Sequence, residues 1–199
     1  MATARLALLL LCCMPLACRA SKNESPASNR APEASAAVRD SPSATAESSH
    51  PLSVGSPTPA VEAIDQRGKH ISLRGLRGRP VVVYFYPKDE SKGCTIEAQM
   101  MRDHLKQITE FGATVIGVST DDLASHKEFA EKQQLSFSLL PDPDHRIAEA
   151  FGVPVYSGRA ARMTFVIGAD GRVREVFPKV NPITSATQVL DALGRLPPR

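Results

Sequence analysis

The sequence predicts an α/β domain, a mixed β-sheet with helices on its faces, preceded by an extension without regular structure. Residues 81–86 form a continuous run of β-branched and aromatic residues, as is typical of a strand buried on both faces, and residues 114–119 predict a second buried strand. A helical pattern separates them, which is the order of a parallel βαβ unit. Later, two extended runs flank the hairpin sequence Gly168-Ala169-Asp170-Gly171 and add antiparallel strands to the same sheet.

The first half of the domain contains a hairpin, a strand, a helix and a strand. Residues 63–73 form two short extended runs around Gly68, which predicts a β-hairpin before the first buried strand. Along the segment after that strand, apolar residues recur at intervals of three and four and predict one face of a helix that ends at Gly112. These residues are Ala98, Met101, Leu105 and Ile108.

The second half of the domain also contains both helices and strands. A helix over 123–132 begins at Asp121 or Asp122, since a carboxylate there can cap the first turn. The remaining predicted elements are a short strand over 137–140, a helix over 144–151 closed by Gly152, strands over 163–167 and 173–177, and a final helix over 184–193. The thioredoxin-like fold, with a central mixed β-sheet flanked by helices, has this order of elements.

The first twenty residues have the features of a secretory signal. Arg5 is followed by Leu6–Cys18, an uncharged run of thirteen residues, whereas about 20 are needed to span a bilayer. Cleavage after Ala20 would release a soluble protein. Alternatively, Leu16-Ala17-Cys18 resembles a bacterial lipobox, in which Cys18 becomes a lipid anchor. We therefore expect export across the inner membrane of a bacterium, to the periplasm or as a membrane-anchored lipoprotein.

Residues 21–57 are predicted to be a disordered tether, or simply the remainder of the signal region, before a domain at 58–199. Ser, Ala and Pro fill 24 of the 40 positions from 21 to 60, with no apolar period. Such a segment cannot bury enough surface to offset the entropy of ordering it. The whole chain has a net charge of +3 and no basic block, so we expect no nucleic-acid partner.

Cysteine usage limits the chemistry. Three of the four cysteines, Cys12, Cys13 and Cys18, lie in the first eighteen residues, which leaves Cys94 alone in the domain. This excludes a disulfide-stapled domain and a Cys-based zinc site. The five histidines are scattered, so we expect no metal and no cofactor. We expect His104 and His126 to lie on helix surfaces.

Cys94 stands where a strand has ended and a helix begins. The unpaired N–H groups and the dipole of a helix N-terminus favour an anion, and so favour the reactive thiolate. Ser91, three residues earlier, is able to offer its hydroxyl to the sulfur or to a bound oxygen atom, and Pro87 fixes the loop and shields the sulfur from water. The alternative for a lone Cys is a structural role as a small buried apolar side chain.

The segment around Cys94, YFYPKDESKGCTIEAQMMRD, resembles the active-site signature of the peroxiredoxins, in particular the bacterioferritin-comigratory-protein or PrxQ branch. Two later segments, GVSTDDLASHKEFAEKQQLSFSLLPDPDHRIAEAFGV and ARMTFVIGADGRV, resemble the same branch. The resemblance covers residues 58–196. It implies a thioredoxin-like fold and a thiol-dependent peroxidase that reduces hydrogen peroxide and organic hydroperoxides.

The resemblance also implies roles for individual residues. Cys94 is the peroxidatic nucleophile, which a hydroperoxide oxidises to a sulfenic acid, and Arg162 holds the thiolate and polarises the peroxide. Pro87 shields the site, and Ser91 replaces the Thr that the branch usually has. Glu97 matches a glutamate of the family's helix and supports the site through a hydrogen bond.

One position departs from the branch. Many members have a resolving Cys five residues after the nucleophile, where this chain has Gln99. An internal disulfide is therefore not expected, and an external thiol such as thioredoxin, or a second chain, must reduce the sulfenic acid. Either a monomer or a dimer fits. The alternative function on the same fold is a non-catalytic redox sensor or thiol-binding partner.

Overall fold

A computed structural model describes residues 50–197. In chain order its elements are β1 (Glu62–Ile64), β2 (His70–Ser72), a 3-10 turn (Arg74–Leu76), β3 (Val81–Phe85), α1 (Lys92–Asp103), α2 (Leu105–Glu110), β4 (Thr114–Ser119), α3 (Leu123–Gln133), β5 (Ser138–Pro141), α4 (Arg146–Phe151), β6 (Val155–Tyr156), β7 (Arg159–Ala160), β8 (Met163–Ile167), β9 (Val173–Phe177) and α5 (Ser185–Gly194).

The central sheet has five strands in the order β5-β4-β3-β8-β9. The pairs β3–β4 and β4–β5 are parallel, whereas β8 pairs antiparallel with both β3 and β9. The hairpin of β1 and β2 forms a separate two-stranded sheet. The predicted mixed sheet and the thioredoxin-like fold are therefore confirmed.

Alternate residues of β3 reach the two faces of the sheet, and a separate apolar cluster covers each face. Val82 and Tyr84 pack in the cluster that contains Cys94 and the buried side of α1. Val83 and Phe85 pack in the other cluster. All five residues of β3 are buried, which explains why the run carries no polar alternation.

The single helix predicted to end at Gly112 is two helices, α1 and α2, which meet at His104. The imidazole Nδ1 of His104 lies 2.9 Å from the carbonyl oxygen of Met100, and the backbone there leaves helical geometry with ψ near 4°. The apolar spacing nevertheless serves both helices, since Met101 and Ile108 are fully buried. The spacing therefore gave the buried face correctly and missed the break.

The hairpin of β6 and β7 was not predicted. Its turn consists of Ser157 and Gly158, both with positive φ, and the Thr120 hydroxyl donates to the carbonyl of Gly158 over 2.8 Å. Strands of two residues are too short to show an alternating pattern, so the sequence carries no periodic signal for them.

Residues 51–57, assigned above to the tether, pack against the domain. The Leu52 N–H donates to the carbonyl of Phe151 over 3.0 Å, and Pro57 forms an antiparallel bridge with Arg172. This stretch therefore makes backbone contacts with the domain on the N-terminal side of the predicted boundary at 57. The predicted signal segment, Cys18 and the tether over 21–49 lie outside the described residues. Within residues 50–197, no helix is long and apolar enough to cross a membrane.

Candidate active site

Cys94 lies in the first turn of α1, at the edge of the sheet where β3 ends. Its side chain is 1% exposed, and its thiol is free. Ser91 is the N-cap residue of the helix, with an extended backbone, and its carbonyl accepts the N–H of Thr95 over 2.9 Å. The predicted placement of Cys94 at a helix N-terminus is therefore confirmed.

Arg162 reaches Cys94 because β8 pairs with β3. Met163, the first residue of β8, lies opposite Phe85, the last residue of β3. The preceding Arg162 is thereby placed beside the start of α1. Its Nη2 donates to the Sγ of Cys94 over 3.1 Å, and its Nη1 donates to the carboxylate of Glu97. One guanidinium thus holds both side chains through separate nitrogens.

Glu97 lies one turn after Cys94 and is completely buried. Burial raises the pKa of Glu97 to about 7, although the charge of Arg162 and the hydrogen bond from it act in the opposite direction. The Oε2 of Glu97 accepts from Arg162, whereas its Oε1 is buried without a hydrogen-bond partner among the described residues. A neutral Glu97 and a charged Glu97 are therefore both accessible near neutral pH.

Gly93 allows the guanidinium to approach the helix. A Cβ atom at Gly93 would lie 3.3 Å from the Nη2 of Arg162 and 3.7 Å from the Cγ of Pro182. Pro182, between β9 and α5, is therefore a neighbour of the site that the sequence did not identify. The glycine directly before Cys94 was the only local signal of this close approach.

Ser91 and Pro87 both precede Cys94 in the loop that follows β3. The Ser91 hydroxyl donates to the carbonyl of Lys88 over 3.1 Å and not to the sulfur. Pro87 lies two residues after the end of β3 and is half-buried. The structure thus brings together Cys94, Arg162 and Glu97, while the shielding role of Pro87 and a contact of Ser91 with a bound oxygen atom stay predictions.

Asp89 fixes the same loop and was not identified from the sequence. Its buried carboxylate accepts from the Tyr86 hydroxyl over 2.7 Å, from the Ser125 hydroxyl over 2.8 Å and from Nδ1 of His126 over 2.8 Å. Its backbone N–H donates to Asp121 over 2.8 Å. This network ties the loop before Cys94 to the start of α3.

His126 was predicted on a helix surface, and that prediction is wrong. The side chain is fully buried, because it lies on the face of α3 that also carries Phe129 and Ala130. The spacing of three and four residues to those apolar positions was the available signal. Asp122 caps α3 by accepting the N–H of Ser125 over 2.9 Å, which confirms one of the two predicted caps.

Comparison with known proteins agrees with this geometry. The model of the AhpC/TSA family matches residues 54–176. The Bcp peroxiredoxin of Escherichia coli is 39% identical over 136 residues, which cover 64% of this chain and 86% of that protein. This chain is a peroxiredoxin of the AhpC/TSA family. Its relatives place it in the Bcp/PrxQ branch.

Solved peroxiredoxin structures have the same fold. Peroxidoxin BcpB from Mycobacterium tuberculosis matches with a TM-score of 0.68 and 32% identity, over 73% of this chain and 98% of that one. The bacterioferritin comigratory protein of Xanthomonas campestris matches with a TM-score of 0.63 and 33% identity, over 67% of this chain and 90% of that one.

The chloroplastic peroxiredoxin Q of Suaeda salsa is 43% identical over 128 residues, which span 63% of this chain and 60% of that protein's length.

Proposed function

We propose that this peroxiredoxin is a thiol-dependent peroxidase that reduces hydrogen peroxide and organic hydroperoxides through Cys94. The contact of 3.1 Å between the Arg162 guanidinium and the buried Cys94 sulfur is the observation that carries the proposal. A structure of the Xanthomonas campestris relative is described in connection with its alkyl peroxide reduction activity. Membership of the same branch supports an organic substrate here.

In the first step, the thiolate of Cys94 attacks the terminal oxygen of the hydroperoxide. The S–O bond forms as the O–O bond breaks, and the leaving alkoxide or hydroxide takes up a proton. Sulfur loses two electrons and becomes a sulfenic acid, and the peroxide gains them. Arg162 donates toward the sulfur and toward the charge that develops on the peroxide oxygens.

In the second step, an external thiol attacks the sulfenic sulfur, which forms a mixed disulfide with Cys94 and releases water. A second thiol then attacks the mixed disulfide, which frees the Cys94 thiol and leaves the two reducing thiols joined as a disulfide. The described part of the chain holds no second cysteine. Gln99, at the position of the branch's resolving Cys, instead donates to the side chain of Gln133 over 2.9 Å. We therefore assign a one-Cys cycle with a dithiol of the thioredoxin type as reductant.

The proposed place of action is outside the bacterial cytoplasm. The apolar run Leu6–Cys18 and the Ser-, Ala- and Pro-rich residues after it support export, with Cys18 as the lipid anchor or as part of a cleaved signal. Fractionation of cells that express the full chain tests this, with a Cys18→Ser variant to separate a lipid anchor from cleavage.

The test of the peroxidase is hydroperoxide consumption by the full chain with dithiothreitol, and in parallel with thioredoxin and its reductase. We expect repeated turnover with the unaltered protein and none with Cys94→Ser, because a serine hydroxyl is not deprotonated at neutral pH. Cys18→Ser is the matched control and should retain turnover. A single oxidation of Cys94 without turnover in either reducing system would favour the sensor and contradict the peroxidase.

A further inference from the structure

A cavity of about 240 Å³ lies at the sheet edge opposite to Cys94. Val81 and Ile167 line it and are paired in register, at the start of β3 and the end of β8. Cys94 follows the other end of β3, so this cavity is separate from the candidate active site. The residues that line it come mainly from three segments, 57–60, 73–79 and 167–171.

Hydrogen bonds join the three segments to one another. Both the N–H and the hydroxyl of Thr58 donate to the carbonyl of Gly171, over 2.9 and 2.8 Å. The N–H of Gly78 donates to the carbonyl of Ala169 over 2.8 Å, and that of Leu73 donates to Val61 over 3.0 Å. The cavity is therefore held open by the fold itself, as is usual for ligand sites.

The lining is apolar at the base and cationic at the rim. Arg74, Arg77 and Arg79 are exposed and border the cavity. The one acidic residue within the three segments, Asp170, does not line the cavity and is paired with Arg174 over 2.7 Å. Within residues 50–197, none of these three guanidiniums has an ion-pair partner closer than 4.0 Å. The apolar part of the lining consists of Pro57, Pro59, Leu73, Leu76, Val81 and Ile167.

Arg77 is positioned against the β8–β9 turn. Gly171 has a φ of +75°, and a Cβ atom there would lie 3.0 Å from the Nε of Arg77. The absence of a side chain at Gly171 lets the Arg77 side chain lie across the turn, at the mouth of the cavity. A guanidinium held in this way presents a planar fork that matches a carboxylate or a phosphate.

We propose that this cavity binds a small anionic amphiphile. Its carboxylate or phosphate head would contact Arg74, Arg77 and Arg79, and a short apolar body would lie against Leu76 and Ile167. The volume is below the roughly 300 Å³ at which sites for drug-sized ligands begin, which favours a short chain. The head group could belong to a free acid or to an anionic lipid, and both present the same chemistry to the arginines.

The first arm of the test titrates the full chain with octanoate, followed by calorimetry and by amide NMR shifts. We expect saturable binding with shifts in residues 57–60, 73–79 and 167–171. Acetate, which lacks the apolar body, and octanol, which lacks the charge, should bind about tenfold more weakly or worse. The triple variant Arg74→Gln, Arg77→Gln, Arg79→Gln should lose affinity by a similar factor.

The matched control is the triple variant Lys69→Gln, Lys106→Gln, Lys127→Gln, which removes three exposed cations elsewhere. Its affinity for octanoate should be unchanged.

The second arm measures sedimentation with phosphatidylglycerol vesicles and with phosphatidylcholine vesicles. Binding to the first alone, lost in the arginine variant and kept in the lysine variant, assigns the head group to a lipid. Octanoate binding without vesicle binding assigns it to a free acid. The proposal is overturned if neither arm shows binding, or if the arginine and lysine variants behave alike. Unchanged peroxide turnover in both variants verifies that they are folded.

Discussion

The Nη2 of Arg162 lies 3.1 Å from the Sγ of Cys94, although 68 positions separate them in the sequence. The antiparallel pairing of β8 with β3 brings them together, since it places Met163 opposite Phe85. The same guanidinium binds Glu97 through its other nitrogen. The reactive sulfur therefore shares a single cation with a buried carboxylate.

Arg162→Lys should slow the oxidation of Cys94 by about 100-fold, because an ammonium cannot donate to the sulfur and to Glu97 with the same planar geometry. The measurement is the second-order rate of peroxide reaction under single-turnover conditions. Arg159→Lys, an exposed position in β7, is the control and should keep the original rate. Equal rates for the two variants would mean that Arg162 does not act on the reacting atoms.

Glu97→Gln should change how stability depends on pH. The pKa of Glu97 is raised in the folded protein to about 7 from an ordinary value of 4.5. An acid with a raised folded pKa holds its proton more tightly when folded, so its contribution to stability falls as pH rises from 4.5 to 7. Because glutamine does not titrate, the Glu97→Gln variant should not show this decrease in stability with rising pH.

The measurement for Glu97→Gln is the free energy of unfolding in urea across this pH range. Between pH 4.5 and pH 7, the free energy of unfolding of the unaltered protein should fall by about 3 kcal/mol relative to that of Glu97→Gln. Glu110→Gln, on the exposed side of α2, reports the effect of removing a surface charge. A difference for Glu97→Gln that does not vary with pH would contradict the raised pKa.

Asp89→Ala should destabilise the protein by about 3 kcal/mol, because Tyr86, Ser125 and His126 then lose a buried hydrogen-bond acceptor. The rate of Cys94 oxidation should fall as well, since Asp89 fixes the loop before α1. Urea unfolding and single-turnover kinetics measure the two effects. Asp103→Ala removes an exposed partner of Arg102 and should cost less than about 1 kcal/mol. Similar losses for both variants would contradict the role of the network.

Gln99→Cys should allow an internal disulfide with Cys94 only when the first turns of α1 unwind. Residues five apart in an intact helix point to different sides and cannot be bridged. We expect peroxide to produce a loss of two hydrogens together with a drop in helical circular dichroism. Gln99→Ser, which also removes the hydrogen bond to Gln133, should show neither change. A complete disulfide with unchanged helicity would contradict the expected unwinding.

The sequence predicted the parts of this fold whose signals are local. The buried strands, the hairpin around 168–171 and the position of Cys94 at a helix N-terminus all follow from runs of a few residues. Arg162 came only from the resemblance to the family, because nothing nearby in the sequence marks its contact with Cys94. The pair of Asp89 and His126 was missed because 37 positions separate them and their spacing has no period. Pro182 was missed for the same reason.

The central claim is that peroxide oxidises Cys94 to a sulfenic acid that no group of the domain resolves. The most direct measurement treats the full chain with one equivalent of hydrogen peroxide, traps sulfenic acid with dimedone and identifies the tryptic peptide of residues 93–102. The trap is required because Met100 and Met101 lie in that peptide, and each also gains one oxygen on oxidation. We predict a dimedone adduct on Cys94 in the unaltered protein, and higher oxidation states of its sulfur as peroxide is increased without thiol. An unmodified Cys94 after peroxide has been consumed, or a disulfide that joins the Cys94 residues of two chains in place of the adduct, would contradict the claim.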